Sequence, residues 1–457
     1  MTKHPDWLAP ALDYAQQWIA FQLRASEQPG CSLAVAHRGE IVLDTAFGQA
    51  NVLTGEKLTP THRFRVASHS KSFTATAIMR LREQGKLSLD DPAGKYVKGL
   101  HPAIAKATIS QLLSHTAGIF RDGEDSAYWA GRAPFSNEAQ LRKDLKLAPV
   151  IAANTRLKYS NHGFALAGLV IEAISGMSYA DFVMQEIVKP LGLKNTLPDV
   201  PLPKGAKLAG AHSGKLLLGR RQIFPGDQST HALAAATGFI STASDLVRFF
   251  GQLDPSAPHS ILSPESRREM TRTQWQDAYS PVQSGYGLGL MTGIASGWEY
   301  FGHGGGFQGY LTRTAAVPAH GIAASLLTNA ADGLPQLLLD GVLHILATFR
   351  ANGAPNPKLR DWTGRWWSVW GVSDLVPMGE KVMVALPGLA LPFLKVGELT
   401  VTAKDKARIS QNGSYGNYGE PASLVRDAKG KVIEVRLGSG RIVSEAALKR
   451  EVAKRYD

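Results

Sequence analysis

Strand-forming stretches stand at both ends of the first 350 residues, and the chain between them reads as helix and loop. The early stretch, "CSLAVAHRGEIVLDTAFGQAN", holds two apolar, β-favouring runs around Arg38-Gly39, a hairpin signal. The late stretch, "GWEYFGHGGGFQGYLTRTAAVPAHGIAASLLTN", repeats the pattern. Between them, from about Lys86 to Ile240, apolar residues recur at helical spacing. Phe164, Ala167, Ile171 and Ile174, closed by Gly176, are one such set. Strands that frame a helical middle predict an α+β fold. One antiparallel sheet is built from both ends of the domain and flanked by helices, and a helical subdomain stands beside it.

A last helix, "LPQLLLDGVLHILATFR", closes this first domain, taken as residues 1–350. The segment 351–358, "ANGAPNPK", has the composition of a linker. Residues 359–457 are strand-rich and punctuated by glycine, as in "GKVIEVRLGSGRIV", and predict a small all-β barrel of lipocalin-like type.

Net charge is +12, but the basic residues are scattered and no nucleic-acid motif is present. The expectation is a solvated basic surface and no nucleic-acid partner. The single cysteine, Cys31, lies in a strand-like run and excludes an internal disulfide. The 13 histidines show no metal-ligand spacing, so neither a metal nor another cofactor is expected. The N-terminal stretch reads as an amphipathic helix, without the pattern of a signal peptide or a membrane span. A cytoplasmic protein with no membrane partner is the expectation.

Chemistry is concentrated in three places. In "RVASHSKSFTATAIM", Ser68 precedes Lys71 by three residues, so the two share a helix face. The apolar run Phe73, Ala77, Ile78 and Leu81 buries that helix. A lysine there is costly unless it is used; the alternative is a serine cap with a lysine reaching solvent. A serine hydroxyl needs a nearby base, which Lys71 supplies directly or by stabilising a tyrosinate. "LKYSNHGFAL" offers Tyr159 with Asn161, although Asn161 also reads as a helix cap. "FGHGGGFQGY" brings His303, Gly305 and Gly306, a strand whose backbone a substrate can approach closely. The letters HGGG also mark an oxyanion hole in α/β-hydrolases, but those need a G-x-S-x-G nucleophile. The nearest match here, Gly176–Ala180, ends in alanine.

The order S-x-x-K, Y-x-N, H-x-G resembles the serine β-lactamase and penicillin-binding-protein-like hydrolases. The likeness is greatest to the class C β-lactamase-like group, with its D-aminopeptidases, D-amino-acid amidases, family VIII esterases and acyltransferases. "LLSHTAG" and "ATGFISTASDLVRF" match two further stretches of that group. The resemblance spans about residues 10–350 and implies a β-lactamase-like sandwich. It implies Ser68 as nucleophile, Lys71 as its activator and Tyr159 as general base. Asn161 would orient Lys71 or the substrate amide. His303 and Gly305 stand where penicillin-recognising relatives have the Lys and Gly of K-T-G. The oxyanion hole would be the backbone N–H groups of Ser68 and Gly306.

His303 and Gly304 replace the lysine and hydroxyl that bind a substrate carboxylate in K-T-G, so recognition by that pair should be weak. The expected function is therefore a serine hydrolase acting on small amides or short peptides. A carboxylesterase or acyltransferase of the same fold is the alternative. A β-lactamase or DD-peptidase ranks below these, and a non-catalytic sensor below all. The partner is a small amide, peptide or ester, and a homo-oligomer is compatible with the sequence. In the barrel, "SQNGSYGNYGEPAS" suggests a lid made by Tyr415, Tyr418 and Glu420, or else an exposed hairpin loop.

Overall fold

The computed structural model describes residues 4–276, 278, 279, 284–411 and 417–456. Three strands form early: β1 (Gly30–His37), β2 (Glu40–Asn51) and β3 (Glu56–Lys57). Four short strands follow: β4 (Phe64–Arg65), β5 (Ala211–His212), β6 (Ile223–Phe224) and β7 (Ile240–Ser241). Six more come late: β8 (Trp275–Gln276), β9 (Ser284–Tyr286), β10 (Met291–Ala295), β11 (Trp298–Phe307), β12 (Tyr310–Val317) and β13 (Ile322–Thr328). The main sheet runs β3-β2-β1-β13-β12-β11-β10-β9-β8. Early and late strands meet at the antiparallel β1–β13 ladder, from Cys31 opposite Thr328 to His37 opposite Ile322. The sheet is thus assembled from both ends, as the sequence pattern predicts.

β1 is buried along its whole length, which explains its unbroken run of small and apolar residues. Cys31 lies within it, and burial alone pushes its thiol pKa upward. The β1–β2 turn places both Arg38 and Gly39 at positive φ, as a two-residue hairpin whose twist matches its strands requires. Helix Ala243–Gln252, capped by the Thr242 side chain on the Asp245 N–H, packs against β1 and β13. Helix Ser70–Glu83 lies in the helical part of the same unit. Its Phe73 ring is stacked between Phe239, at 4.1 Å, and Phe249, at 3.7 Å.

The short ladder β4–β7 ties the chain before Ser68 to the "ATGFIST" stretch. The Val66 N–H donates to the Phe239 carbonyl at 2.9 Å, and the Phe239 N–H donates to Ser70 Oγ at 2.9 Å. A stretch that carried only a family likeness in the sequence therefore works as the brace of the nucleophile turn.

The chain divides into two compact units, 28–339 and a second made of 1–27 with 340–457. The second unit carries an eight-stranded closed barrel. Its strands are β14 (Gly364–Ser368), β15 (Gly371–Met378), β16 (Lys381–Ala385), β17 (Gly397–Ala403), β18 (Lys406–Gln411), β19 (Pro421–Arg426), β20 (Val432–Leu437) and β21 (Gly440–Val443). Trp362, Leu375, Val382, Leu399, Ile409, Leu424 and Val435 pack together in its core, so this small barrel is filled by its own side chains. Helix Leu8–Ala25 belongs to the same unit. Tyr14 donates to Asp374 Oδ2 at 3.0 Å, and Trp18 donates to the Leu389 carbonyl at 3.3 Å. The N-terminal helix thus joins the contacts of the barrel, a grouping that its position at the far end of the sequence conceals.

Among the described residues, no single helix is long and apolar enough to cross a membrane. Among them, too, no cluster of three His, Cys, Asp or Glu side chains could hold a metal.

The Phe73 stack yields a stability test. Phe73→Ala should destabilise the protein by about 3–5 kcal/mol, the usual range for an aromatic truncated in a closed core. Urea denaturation followed by circular dichroism would read this, and a loss below about 1 kcal/mol would mean that the site collapses around the gap.

Candidate active site

Ser68 sits in a single 3-10 turn, Ala67–His69, that runs directly into helix Ser70–Glu83. Ala67 has φ +46°, an uncommon conformation for a residue with a Cβ. The turn is held from three directions. Ser70 Oγ donates to the Ala67 carbonyl at 2.5 Å. His69 Nδ1–H donates to the Val66 carbonyl at 2.9 Å, and its Nε2 accepts from Thr314 Oγ1 on β12 at 2.9 Å. Burial lowers the His69 pKa to about 3, so the ring is neutral and this tautomer is kept. From the third side comes β11. A Cβ on Gly305 would overlap the Val66 carbonyl, so only glycine lets the strand cross so near.

Lys71 has no exposed surface. Its Nζ is 3.0 Å from Ser68 Oγ, 2.8 Å from Asn161 Oδ1 and 2.9 Å from the Ala236 carbonyl. Burial pulls its pKa well below the ordinary lysine value; nearby Asp122 opposes the shift and Arg121 adds to it. The Asn161 and Ala236 oxygens can only accept, so they take two N–H groups. In the neutral amine, the remaining lone pair faces the Ser68 hydroxyl. The arrangement suits an amine that removes the serine proton.

Asn161 is the first residue of helix Asn161–Ser175, but it is not the cap. Ser160 caps this helix by accepting from the Gly163 N–H at 2.8 Å. That leaves the Asn161 amide free to bridge. Its Nδ2 donates to Asp122 Oδ1 at 2.6 Å, which sets the amide orientation and turns Oδ1 toward Lys71. Asp122 also accepts from Trp129 Nε1 at 3.1 Å.

Tyr159 stands over the same centre. Lys71 Nζ lies 4.7 Å from its ring centroid, and the His115 ring packs at 4.1 Å. Burial raises the Tyr159 pKa, against the opposing influence of the Ser68 hydroxyl and the Arg121 charge. These directions differ from the expectation of a Tyr159 base. Burial favours the protonated phenol at Tyr159 and the neutral amine at Lys71, since it disfavours a tyrosinate and an ammonium alike.

His303 lies on the β11 face that turns toward the nucleophile, but it is 1% exposed and fully used. Nδ1–H donates to the Gly304 carbonyl at 2.7 Å, and Nε2 accepts from the Tyr286 hydroxyl at 2.9 Å. Burial, aided by Lys71 and His69, holds its pKa well below the ordinary value. It shapes the site as a neutral ring, with no ring nitrogen left for a ligand. Gly306 pairs with Leu311, one residue from the closing pair Phe307–Tyr310 of the β11–β12 hairpin. Alternation along such a ladder turns the Gly306 N–H away from β12. The Ser68 N–H lies in the first turn of its helix, where backbone donors lack intrahelical partners.

Ser68, Lys71, Tyr159, Asn161, His303, Gly305 and Gly306 thus gather in one unit. Of the barrel residues, Tyr415 lies outside the described residues, and Tyr418 and Glu420 are exposed. Sequence reasoning missed Asp122, Arg121, Ala236, His115 and Tyr286. His115 lay inside a quoted motif. Ala236 opened another, and Asp122, Arg121 and Tyr286 carry no local signal, since their roles arise only once separate segments meet.

A serine, a buried amine and an amide bridge under a glycine strand define a site of serine-hydrolase type on an α+β sandwich. The beta-lactamase family profile matches residues 16–348, and the chain belongs to that family. Penicillin-binding protein 4 of Amycolatopsis lactamdurans is 29% identical over 313 residues, covering 66% of this chain and 81% of the relative. Protein flp of Staphylococcus aureus strain MW2 is 25% identical, covering 59% of this chain and 54% of that protein. A D-stereospecific amidohydrolase from Streptomyces sp. superposes with TM-score 0.60 at 29% identity, covering 72% of this chain and 97% of its own. An octameric penicillin-binding protein homologue from Pyrococcus abyssi shares the fold, with TM-score 0.66 at 24% identity over 95% of this chain and all of that one.

The Lys71 environment predicts a pH effect. Asp122→Asn removes the carboxylate that favours the ammonium and leaves Arg121, which disfavours it. The Lys71 pKa should then fall further. If deprotonated Lys71 limits the rate, the acid limb of the kcat/KM profile moves to lower pH. A limb that rises or stays fixed would contradict Lys71 as the titrating base.

Proposed function

We propose that this protein is a serine amidase or peptidase that works through a Ser68 acyl-enzyme on small amides or short peptides. The observation that carries the reading is the placement of Lys71 Nζ, with Asn161 and Ala236 on two sides and Ser68 Oγ on the third.

The chemistry follows from that placement. Lys71 takes the proton of Ser68 Oγ as the oxygen bonds to the substrate carbonyl carbon. The carbonyl oxygen becomes an oxyanion between the N–H groups of Ser68 and Gly306. The C–N bond breaks, and the leaving amine takes the proton held by Lys71, directly or across the Tyr159 hydroxyl. Water then attacks the ester carbon and gives its proton to the same amine; the acyl C–Oγ bond breaks, Ser68 Oγ takes that proton back, and the acid leaves. The likeness to a D-stereospecific amidohydrolase supports amides over β-lactams. The burial of His303, with both nitrogens used, and the absence of a hydroxyl at Gly304 point the same way, away from the K-T-G mode of carboxylate capture.

Ser68→Ala should fold normally and lose nearly all turnover, and mass spectrometry should find the acyl adduct on the Ser68 peptide of the wild type. Lys71→Ala and Tyr159→Phe should each cost about 100-fold or more, and the double variant little beyond that, because the groups act on one proton path. Paired D- and L-amino-acid amides and their matching esters distinguish an amidase from an esterase or acyltransferase. An adduct on Ser160 or Ser241, or no labelling by a fluorophosphonate, would overturn the reading.

Benzylpenicillin and nitrocefin should be turned over slowly, with kcat/KM well below that for the best amide. Efficient hydrolysis of either would place the protein among the β-lactamases proper.

A further inference from the structure

We infer that Arg121 anchors an anionic group, a carboxylate, on the substrate of the Ser68 site. The inference rests on the hydrolase reading above and names the charge of the substrate.

The Arg121 backbone is clamped to the start of the Asn161 helix, because its carbonyl accepts from the N–H groups of Asn161, at 2.9 Å, and His162, at 3.2 Å. Its guanidinium carbon lies 5.6 Å from the Tyr159 ring centroid, so the cation stands over the residue that borders Ser68. Nε meets Asp122 Oδ2 at 2.9 Å, which fixes the direction of the group while the side chain stays 62% exposed. The two terminal nitrogens make no described hydrogen bond. A planar guanidinium held at one edge, with its fork open, fits a carboxylate in two-point contact.

Two other candidates for this task, Lys71 and His303, are spent. Lys71 has no exposed surface and three oxygen neighbours. Both His303 nitrogens are bonded, and Gly304 has no side chain. The opposite reading, a substrate ammonium held by Asp122 or Asp125 of the same loop, fits less well. Asp122 already serves Asn161, Trp129 and Arg121, and Asp125 accepts from the Ala127 N–H at 2.9 Å within its own turn.

The test compares matched substrates that differ only in charge. One arm places the charge on the acyl side, as a succinyl amide against its methyl ester. The other places it on the leaving side, as a 4-aminobenzoate amide against an anilide. A trimethylammonium analogue supplies the cationic case. The readout is the ratio of kcat/KM for the anionic and neutral members. On the Ser68→Ala protein the same ratio is read from Kd by calorimetry. Wild type should favour the anion about tenfold in one arm, the scale of an exposed charge-assisted pair. The arm that carries the ratio shows which side of the scissile bond faces Arg121. The ratio should approach one in Arg121→Gln, invert in Arg121→Glu, recover in part in Arg121→Lys and shrink with added salt. A ratio near one in both arms, a preference for the cation, or a ratio unchanged in Arg121→Gln would overturn the inference. Absence of turnover on every substrate, with the Kd ratio intact, would instead overturn the hydrolase reading and leave the anchor standing.

Discussion

A lysine cut off from water and facing a serine is the constraint around which this site is built. Removing an ammonium from water is expensive, and the chain reduces that cost in two ways. It surrounds Nζ with the oxygens of Ser68, Asn161 and Ala236, and it lets the amine lose its proton more easily. The sign of the second effect bears on stability. A base whose folded pKa lies below its unfolded value leaves the unfolded chain with more bound protons. Its burial therefore costs most at low pH, and the cost falls as pH rises toward the ordinary lysine value. The expense is borne by a unit with a large core, in which the Phe239–Phe73–Phe249 stack lies beside the same helix.

Each oxygen around Lys71 comes from a different part of the chain, and each is itself supported. Asn161 is aimed by Asp122, which Trp129 and Arg121 hold in turn. Ala236 belongs to the stretch that braces Val66 and Ser70 through Phe239. Ser68 is presented by a turn with Ala67 at positive φ, tied to β12 through His69. Loosening one support shifts a neighbour rather than removing a single contact, so the site behaves as a unit.

Burial also decides which group titrates. Tyr159 and Lys71 lie side by side, and burial moves their pKa values in opposite directions, up for the phenol and down for the amine. His69, Tyr286 and His303 extend the same logic into a ring of neutral groups whose hydrogen bonds are settled. Arg121, at the exposed edge, keeps bonding capacity at its terminal nitrogens.

Local pattern was enough to read much of this from the chain. The alternation of strand and helix signals predicted a sheet built from both ends, because a strand's apolar content is written in its own residues. The spacing of Ser68 and Lys71 predicted their contact, because three residues along a helix fix a shared face. The glycine run at 304–306 predicted a strand that a substrate can approach closely; at Gly305 the close neighbour is the chain's own Val66 carbonyl. Tertiary structure decided the rest. Ser160, not Asn161, caps the helix, and only the arrival of Asp122 and Lys71 shows why the amide is needed elsewhere. The directions in which Tyr159 and Lys71 shift are set by burial, which spacing does not record. The N-terminal helix joins the barrel's contacts across more than 300 residues, through side chains such as Tyr14 on Asp374. Motifs carry chemistry that is local in sequence. Proton affinity depends on what surrounds a group in space, and that is set only when distant segments close around it.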